Sequence, residues 1–255
     1  MALIKKIDIH TLWWLLAFCL LMSCNPKRER VVRVAVAANF TAPAQEIAKL
    51  FQEREGSRVV LSFGSTGQLF TQITQDAPFD LFLAADEESP QKIVAEGLGL
   101  ADSTFTYAVG KLVLFSTTLD LTNGEATLNQ GNFERIAIAN PVTAPYGAAA
   151  IDAIKSLGLG MKLAGKIVQG NNIAQTFQFV ETGNAELGFV ALSQVLGKSP
   201  KSIWVVPQNL YSPIRQDAVL LRKGSENEAA RSFISFLKSP EIVKIIERYG
   251  YSGTH

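Results

Sequence analysis

Apolar residues in this chain follow two rhythms that keep trading places. Unbroken runs such as Val31-Val32-Arg33-Val34-Ala35-Val36 have the β-branched, near-continuous character of strands buried on both faces. A few small or polar residues follow, and then apolar residues three or four apart, as at Ala44, Ile47, Ala48, Leu50 and Phe51. That spacing is the signature of a helix with one face on a core. The first strand thus passes through Ala38-Asn39-Phe40-Thr41 into a helix with Pro43 in its first turn, where proline is tolerated. Gly56 ends that helix and a second strand occupies 58–63. The break Gly64-Ser65-Thr66-Gly67 leads to a helix through Leu69, Phe70 and Ile73, and 80–85 is a third strand. The next helix takes Ser89 as N-cap, Pro90 as its first residue and Gly97 as its stop.

The apolar stretch 105–116, interrupted by Gly110-Lys111, reads as the passage into a second lobe, and 117–131 as a polar loop. Strands at 136–139 and 166–169 then feed an alanine-rich helix ending near Gly158 and a helix from Ile173 closed by Gly183. Further strands fall at 187–191, 202–206 and 218–221, the last returning to the first lobe. Two amphipathic helices finish the chain, one over about 225–238 and one from Pro240, with Ser239 as cap and Gly250 as stop. This alternation predicts an α/β protein with mostly parallel sheets in two lobes. The expected boundaries are 31–109 plus 217–255 for the first lobe and 110–216 for the second.

The first 30 residues belong to neither lobe. Lys5 and Lys6 precede an apolar run over 12–22, too short for a spanning helix of about 20 residues. It ends in Leu21-Met22-Ser23-Cys24, which resembles a bacterial lipobox. The expectation is a signal peptide over 1–23, lipid attachment at Cys24, a polar tether over 24–30, and a protein lipid-anchored in the periplasm or cell envelope. Removing the segment takes Lys5, Lys6 and Asp8 and leaves 22 basic against 22 acidic side chains. Such a balance gives no electrostatic footprint for nucleic acid. Cys24 and His255 then remain as the single cysteine and histidine. Internal disulfides, Ser-His-Asp and Cys-His catalysis and most zinc chemistry drop out together. The whole chain is 47% hydrophobic, and the remainder is long enough to fill two cores of roughly 100 residues each.

Candidate chemistry gathers in four strand-to-helix turns: Ala38-Asn39-Phe40-Thr41, Gly64-Ser65-Thr66-Gly67, Ala144-Pro145-Tyr146-Gly147 and Asn171-Asn172-Ile173-Ala174. None carries a charge. Helix starts offer unpaired N–H groups and the positive end of the helix dipole, and ligands of open α/β sheets lie outside the carboxyl ends of the strands. Two such turns from each lobe would form a cage of neutral donors suited to a small, fully ionised oxyanion. Singly, each turn has a simpler reading: Ser65 and Thr66 as N-caps, Tyr146 as packing, Asn171 and Asn172 as turn formers. The acidic run Asp86-Glu87-Glu88 reads first as a solvated helix start matched to the dipole. A hydrolase using Asp80 or Asp86 is the alternative from another class, and the lack of a usable histidine and the uncharged turns weigh against it.

Four stretches are Ala37-Ala38-Asn39-Phe40, Phe63-Gly64-Ser65-Thr66-Gly67, Asp80-Leu81-Phe82-Leu83-Ala84-Ala85-Asp86 and Tyr107-Ala108-Val109-Gly110-Lys111-Leu112-Val113-Leu114. Together they resemble one family, the molybdate-binding solute receptors of bacterial ABC transporters. Asn140-Pro141, Ala144-Pro145-Tyr146-Gly147, Leu187-Gly188-Phe189-Val190 and the closing Arg248-Tyr249-Gly250-Tyr251 extend the likeness over nearly all of the chain beyond the tether. The resemblance implies a two-lobed periplasmic-binding-protein fold of type II with the ligand cleft between the lobes. It implies contacts to molybdate, and to tungstate, from Ala38, Asn39, Ser65, Thr66, Tyr146 and Ile173. Asn39 would donate from backbone and side chain, Thr66 from hydroxyl and N–H, Tyr146 and Ile173 mainly from N–H. It further implies a monomeric receptor without catalysis, cofactor or resident cation, serving a membrane permease. Many relatives carry a tyrosine donor where this chain has Ala191. A receptor of the same fold for sulfate or another tetrahedral oxyanion is the nearest alternative.

Overall fold

The computed structural model describes residues 31–253; the expectations for 1–30, Cys24 among them, and for His255 lie outside the described residues. Ten strands form two five-stranded sheets. The first is ordered β2-β1-β3-β10-β4, built from β1 (Val31–Ala37), β2 (Arg58–Gly64), β3 (Leu81–Leu83), β4 (Phe105–Gly110) and β10 (Ile214–Leu220). The second is ordered β7-β6-β8-β5-β9, from β5 (Leu112–Ser116), β6 (Ile136–Ala139), β7 (Ile167–Gly170), β8 (Leu187–Ala191) and β9 (Ile203–Val205). The order repeats: β1 lies between its two parallel partners as β6 does between its own. Chain direction therefore switches sides at the carboxyl ends of β1 and β6, the place where an open sheet forms a crevice.

The helices are α1 (Thr41–Glu55), α2 (Thr66–Thr74), α3 (Glu88–Ala95), α4 (Gly124–Gln130), α5 (Pro145–Ser156), α6 (Gly160–Leu163), α7 (Ile173–Glu181), α8 (Glu228–Leu237) and α9 (Pro240–Arg248). They cover both faces of each sheet. On β1, Val34 and Val36 pack with Ile47, Phe51 and Phe233 on one face, while Ala35 packs with Leu69 and Ile73 on the other. In the second sheet Ile136 and Ile138 face α5, and Ala137 faces Val180 of α7. Alternation along a strand with both faces covered is why these runs read as continuously apolar.

Three expectations are corrected. Mostly parallel sheets hold for the βα strands, but β10 and β5 pair antiparallel with both of their neighbours, so each sheet is mixed. The loop 117–131 contains α4, whose N-cap Asn123 accepts from the Ala126 N–H at 3.0 Å; with little of it buried, it shows no apolar period. β10 begins at Ile214 rather than Ala218, pairing Ile214 with Gly110 through a bulge at Gln216/Asp217. Two buried polar residues hid that half of the strand.

Candidate functional site

The four uncharged turns meet. Ala38, Asn39, Ser65 and Thr66 from the first sheet and Tyr146 and Ile173 from the second line one small cavity, closed in by Ala37, Gly64, Ala85, Ala144 and Pro145. No charged side chain lines it. The backbone N–H groups at these helix starts divide into those with a partner and those without. At α5, Pro145 has no N–H, and Gly147 and Ala148 both donate to the Ala144 carbonyl. The Tyr146 N–H is left over. At α7 the Gln175 N–H is capped by Asn172 Oδ1 at 3.0 Å and the Thr176 N–H by the Asn172 carbonyl, leaving those of Ile173 and Ala174, of which Ile173, at the first helical position, lines the cavity. At α2 the capping box between Ser65 and Gln68 and the Leu69 N–H to the Ser65 carbonyl leave Thr66. Asn39 is the second residue of a 3-10 turn, Ala38–Phe40, ahead of the turn's first internal bond. Four orphan donors from four elements thus share one small space, each at the positive end of its turn or helix.

Two hydroxyls add to them. Thr66, almost wholly buried, accepts the Ala85 N–H on Oγ1 at 3.0 Å. That bond engages one of its two lone pairs and leaves its own proton available to an acceptor. Ser65 Oγ likewise accepts the Gln68 N–H at 3.4 Å.

Asn39 differs from expectation. Its side-chain amide donates to Gln216 Oε1 at 2.8 Å and to the Tyr251 hydroxyl at 3.1 Å, and its carbonyl accepts from Tyr251 at 2.8 Å and from Ser193 Oγ at 2.9 Å. Both amide protons are engaged away from the cavity, which leaves the backbone N–H as its donor. The Tyr146 side chain also turns back: its hydroxyl accepts from Gln216 Nε2 at 3.3 Å. Burial pushes the Tyr107, Tyr146 and Tyr251 phenols above the usual tyrosine range, so they stay protonated. Ala191 is buried outside the cavity lining; its N–H goes to Gln194 Oε1 at 2.9 Å, and Gln194 Nε2 braces the Ile173 carbonyl at 3.1 Å. Sequence reading missed Gln216, Ser193 and Gln194 and gave Tyr251 no role. The one available signal was a glutamine interrupting an apolar strand.

The cleft is closed on its outer side by the Gly67 N–H donating to the Thr143 carbonyl at 2.9 Å. Beyond it an open groove is lined in part by Asp86, Glu87, Glu88, Lys92, Asp152 and Arg215. The carboxylates of the hydrolase alternative, Asp86 in this groove and Asp80 outside it, have structural partners. Asp86 accepts the Ser89 N–H at 2.8 Å and its hydroxyl at 3.2 Å, capping a helix that starts at Glu88 rather than at Pro90. Burial pushes the Asp86 carboxyl upward against those two bonds. Asp80 Oδ2 accepts the Arg33 N–H at 2.6 Å, tying β3 to β1. Glu87 pairs with Arg215 at 2.9 Å. Neither aspartate lines the cavity.

Residues 32–252 match the family model described as bacterial extracellular solute-binding protein. A molybdate-binding protein of Rhodobacter capsulatus is 52% identical over 220 residues, 86% of this chain and 87% of its own. One from Azotobacter vinelandii is 51% identical over 235 residues, 91% of this chain and 93% of its own. The solved periplasmic molybdate-binding protein of Azotobacter vinelandii superimposes with a TM-score of 0.84 at 39% identity, covering 88% of this chain and 100% of that one. With this match running over 32–252 and relatives more than 50% identical over most of both chains, the chain belongs to the bacterial extracellular solute-binding proteins and, within them, to the molybdate-binding family.

Proposed function

We propose that this protein is the receptor that captures molybdate outside the cytoplasm and delivers it to an ABC importer. The observation that carries the reading is the cavity: donors from four helix starts, two hydroxyls and no charge, in a chain more than half identical to proteins named for molybdate. Molybdate is a tetrahedral dianion with acceptors on every corner and no proton to give. A cage of N–H and O–H donors satisfies all of it, and charge-assisted bonds of this kind are the stronger ones. Tungstate has the same shape and charge and belongs to the same ligand class. The contacts come from Asn39, Thr66, Tyr146 and Ile173 through N–H groups, from Ser65 and Thr66 through hydroxyls, and from Ala38 by lining. The protein is a receptor and not an enzyme. Two lobes close over the anion, and the closed form is what the permease recognises.

A thermal-shift panel of molybdate, tungstate, sulfate and phosphate tests the ligand. Ligand at 100 times Kd adds about 2.7 kcal/mol, a rise on the order of 5–10 °C for a domain of this size. Molybdate and tungstate are expected to give it. Phosphate, which carries a P–OH at neutral pH, meets only donors and is expected to give little. A shift from sulfate with none from molybdate overturns the assignment.

The reading extends to location. The lipobox ending at Cys24 supports attachment to the membrane by lipid through the tether 24–30; the receptor is a monomer with lobes over 31–109 plus 217–255 and over 110–216. Cys24→Ser is expected to leave the membrane fraction or stay unprocessed while still binding molybdate. A variant that matures and fractionates as wild type does contradicts the anchor.

A further inference from the structure

On β10, outside the cavity lining, lies a side chain that touches both halves of the site. Gln216 is fully buried. Its Oε1 accepts from Asn39 Nδ2 at 2.8 Å and from the Tyr107 hydroxyl at 3.1 Å, and its Nε2 donates to the Tyr146 hydroxyl at 3.3 Å. Asn39 is the second residue of the 3-10 turn that follows β1, and Tyr146 is the second residue of α5 on the second sheet. One amide therefore bridges a donor turn from each lobe. Space is kept for it: a Cβ on Gly110 would stand 2.1 Å from the Tyr146 hydroxyl and 2.7 Å from Gln216 Nε2. The bulge at Gln216/Asp217 breaks the register of β10 against β4 at this residue, and bulges re-aim side chains.

Burying an amide is unfavourable unless every group is satisfied, and an apolar residue would fill such a space without that requirement. A fully bonded glutamine at this place fixes geometry instead. Resting on the molybdate reading, we propose that Gln216 is a positioning residue for oxyanion selectivity. It holds the Asn39 turn and the start of α5 at the separation that the larger tetrahedral anions fill, so the preference for molybdate over sulfate is set in part by a side chain outside the cavity lining.

The test is calorimetric titration of molybdate and sulfate into wild type, Gln216→Met and Tyr146→Phe, with melting of each ligand-free protein as control. Gln216→Met keeps the length and removes both polar ends. Tyr146→Phe breaks the same bridge from the other lobe while keeping the Tyr146 N–H. Losing one neutral hydrogen bond corresponds to roughly a fivefold change in an equilibrium. The ratio of molybdate to sulfate affinity is expected to fall at least about that much in either variant, and the double variant to fall no further than Gln216→Met alone. A glutamine that merely supports the fold would lower the melting temperature and leave the ratio per folded molecule unchanged. An unchanged ratio in Tyr146→Phe overturns the inference even if Gln216→Met fails to fold. If wild type itself binds neither anion, the molybdate reading falls first and this inference with it.

Discussion

Thr66 concentrates the chemistry of the site in one residue. Its N–H is the orphan donor at the start of α2, and its hydroxyl, held from behind by the Ala85 N–H at 3.0 Å, has a proton to give. Thr66→Ala removes a hydrogen bond to a charged partner, which contributes about 1.5–3 kcal/mol, or about a tenfold to hundredfold loss in affinity. It also orphans the buried Ala85 N–H, so the ligand-free protein is expected to melt a few degrees lower. Thr66→Ser keeps both donors and is expected to bind almost as wild type. Glu87→Ala breaks only the surface pair with Arg215, of the class contributing at most about 1 kcal/mol, and is expected to be silent in titrations. A crippled Glu87→Ala beside a normal Thr66→Ala would relocate the site to the acidic groove. At this scale the sequence was informative about residue types and silent about direction. Asn39 is at the right turn, yet its amide points to Gln216 and Tyr251, because partners 177 and 212 residues away leave no local trace.

Among elements, the helix starts carry the function and were legible because caps and prolines are local signals. Ser65, Asn172 and Pro145 each mark a start that the structure contains. What stayed hidden depends on pairing between distant segments: α4, too short to show a period, and the first half of β10, whose polar residues face a network rather than a core. The latch between lobes is another such feature. Gly67, in the first turn of α2, donates to Thr143, and a Cβ there would lie 3.1 Å from Thr143 Cα and 3.2 Å from its Cβ. Alanine is intrinsically better than glycine in a helix by roughly 0.5–1 kcal/mol. Gly67→Ala is therefore expected to melt no lower than wild type without ligand, yet to bind molybdate several-fold more weakly because closure is hindered. Small-angle scattering is expected to show less compaction on adding molybdate than in wild type. Wild-type affinity and compaction in this variant would mean that the contact is not a latch.

The described residues form two sheets of the same strand order whose switch points both open on the cavity. The crossings at Gly110-Lys111 and before Ile214 carry the chain between them. That arrangement was readable from alternation and from the family likeness, since βα units impose it. The separation of the lobes was not, because it rests on the buried bridge of Asn39, Gln216 and Tyr146 and on the Gly67 latch. The central claim is that a tetrahedral dianion lies in the uncharged cavity, held by neutral donors from both lobes. Its most direct test is a crystal structure of the molybdate complex with an anomalous difference map collected at the molybdenum edge. One peak is predicted, with oxygens within hydrogen-bond reach of the Asn39, Thr66, Tyr146 and Ile173 N–H groups and the Ser65 and Thr66 hydroxyls. A peak in the outer groove beside Asp86 and Arg215, or an empty cavity at saturating molybdate, would contradict the account.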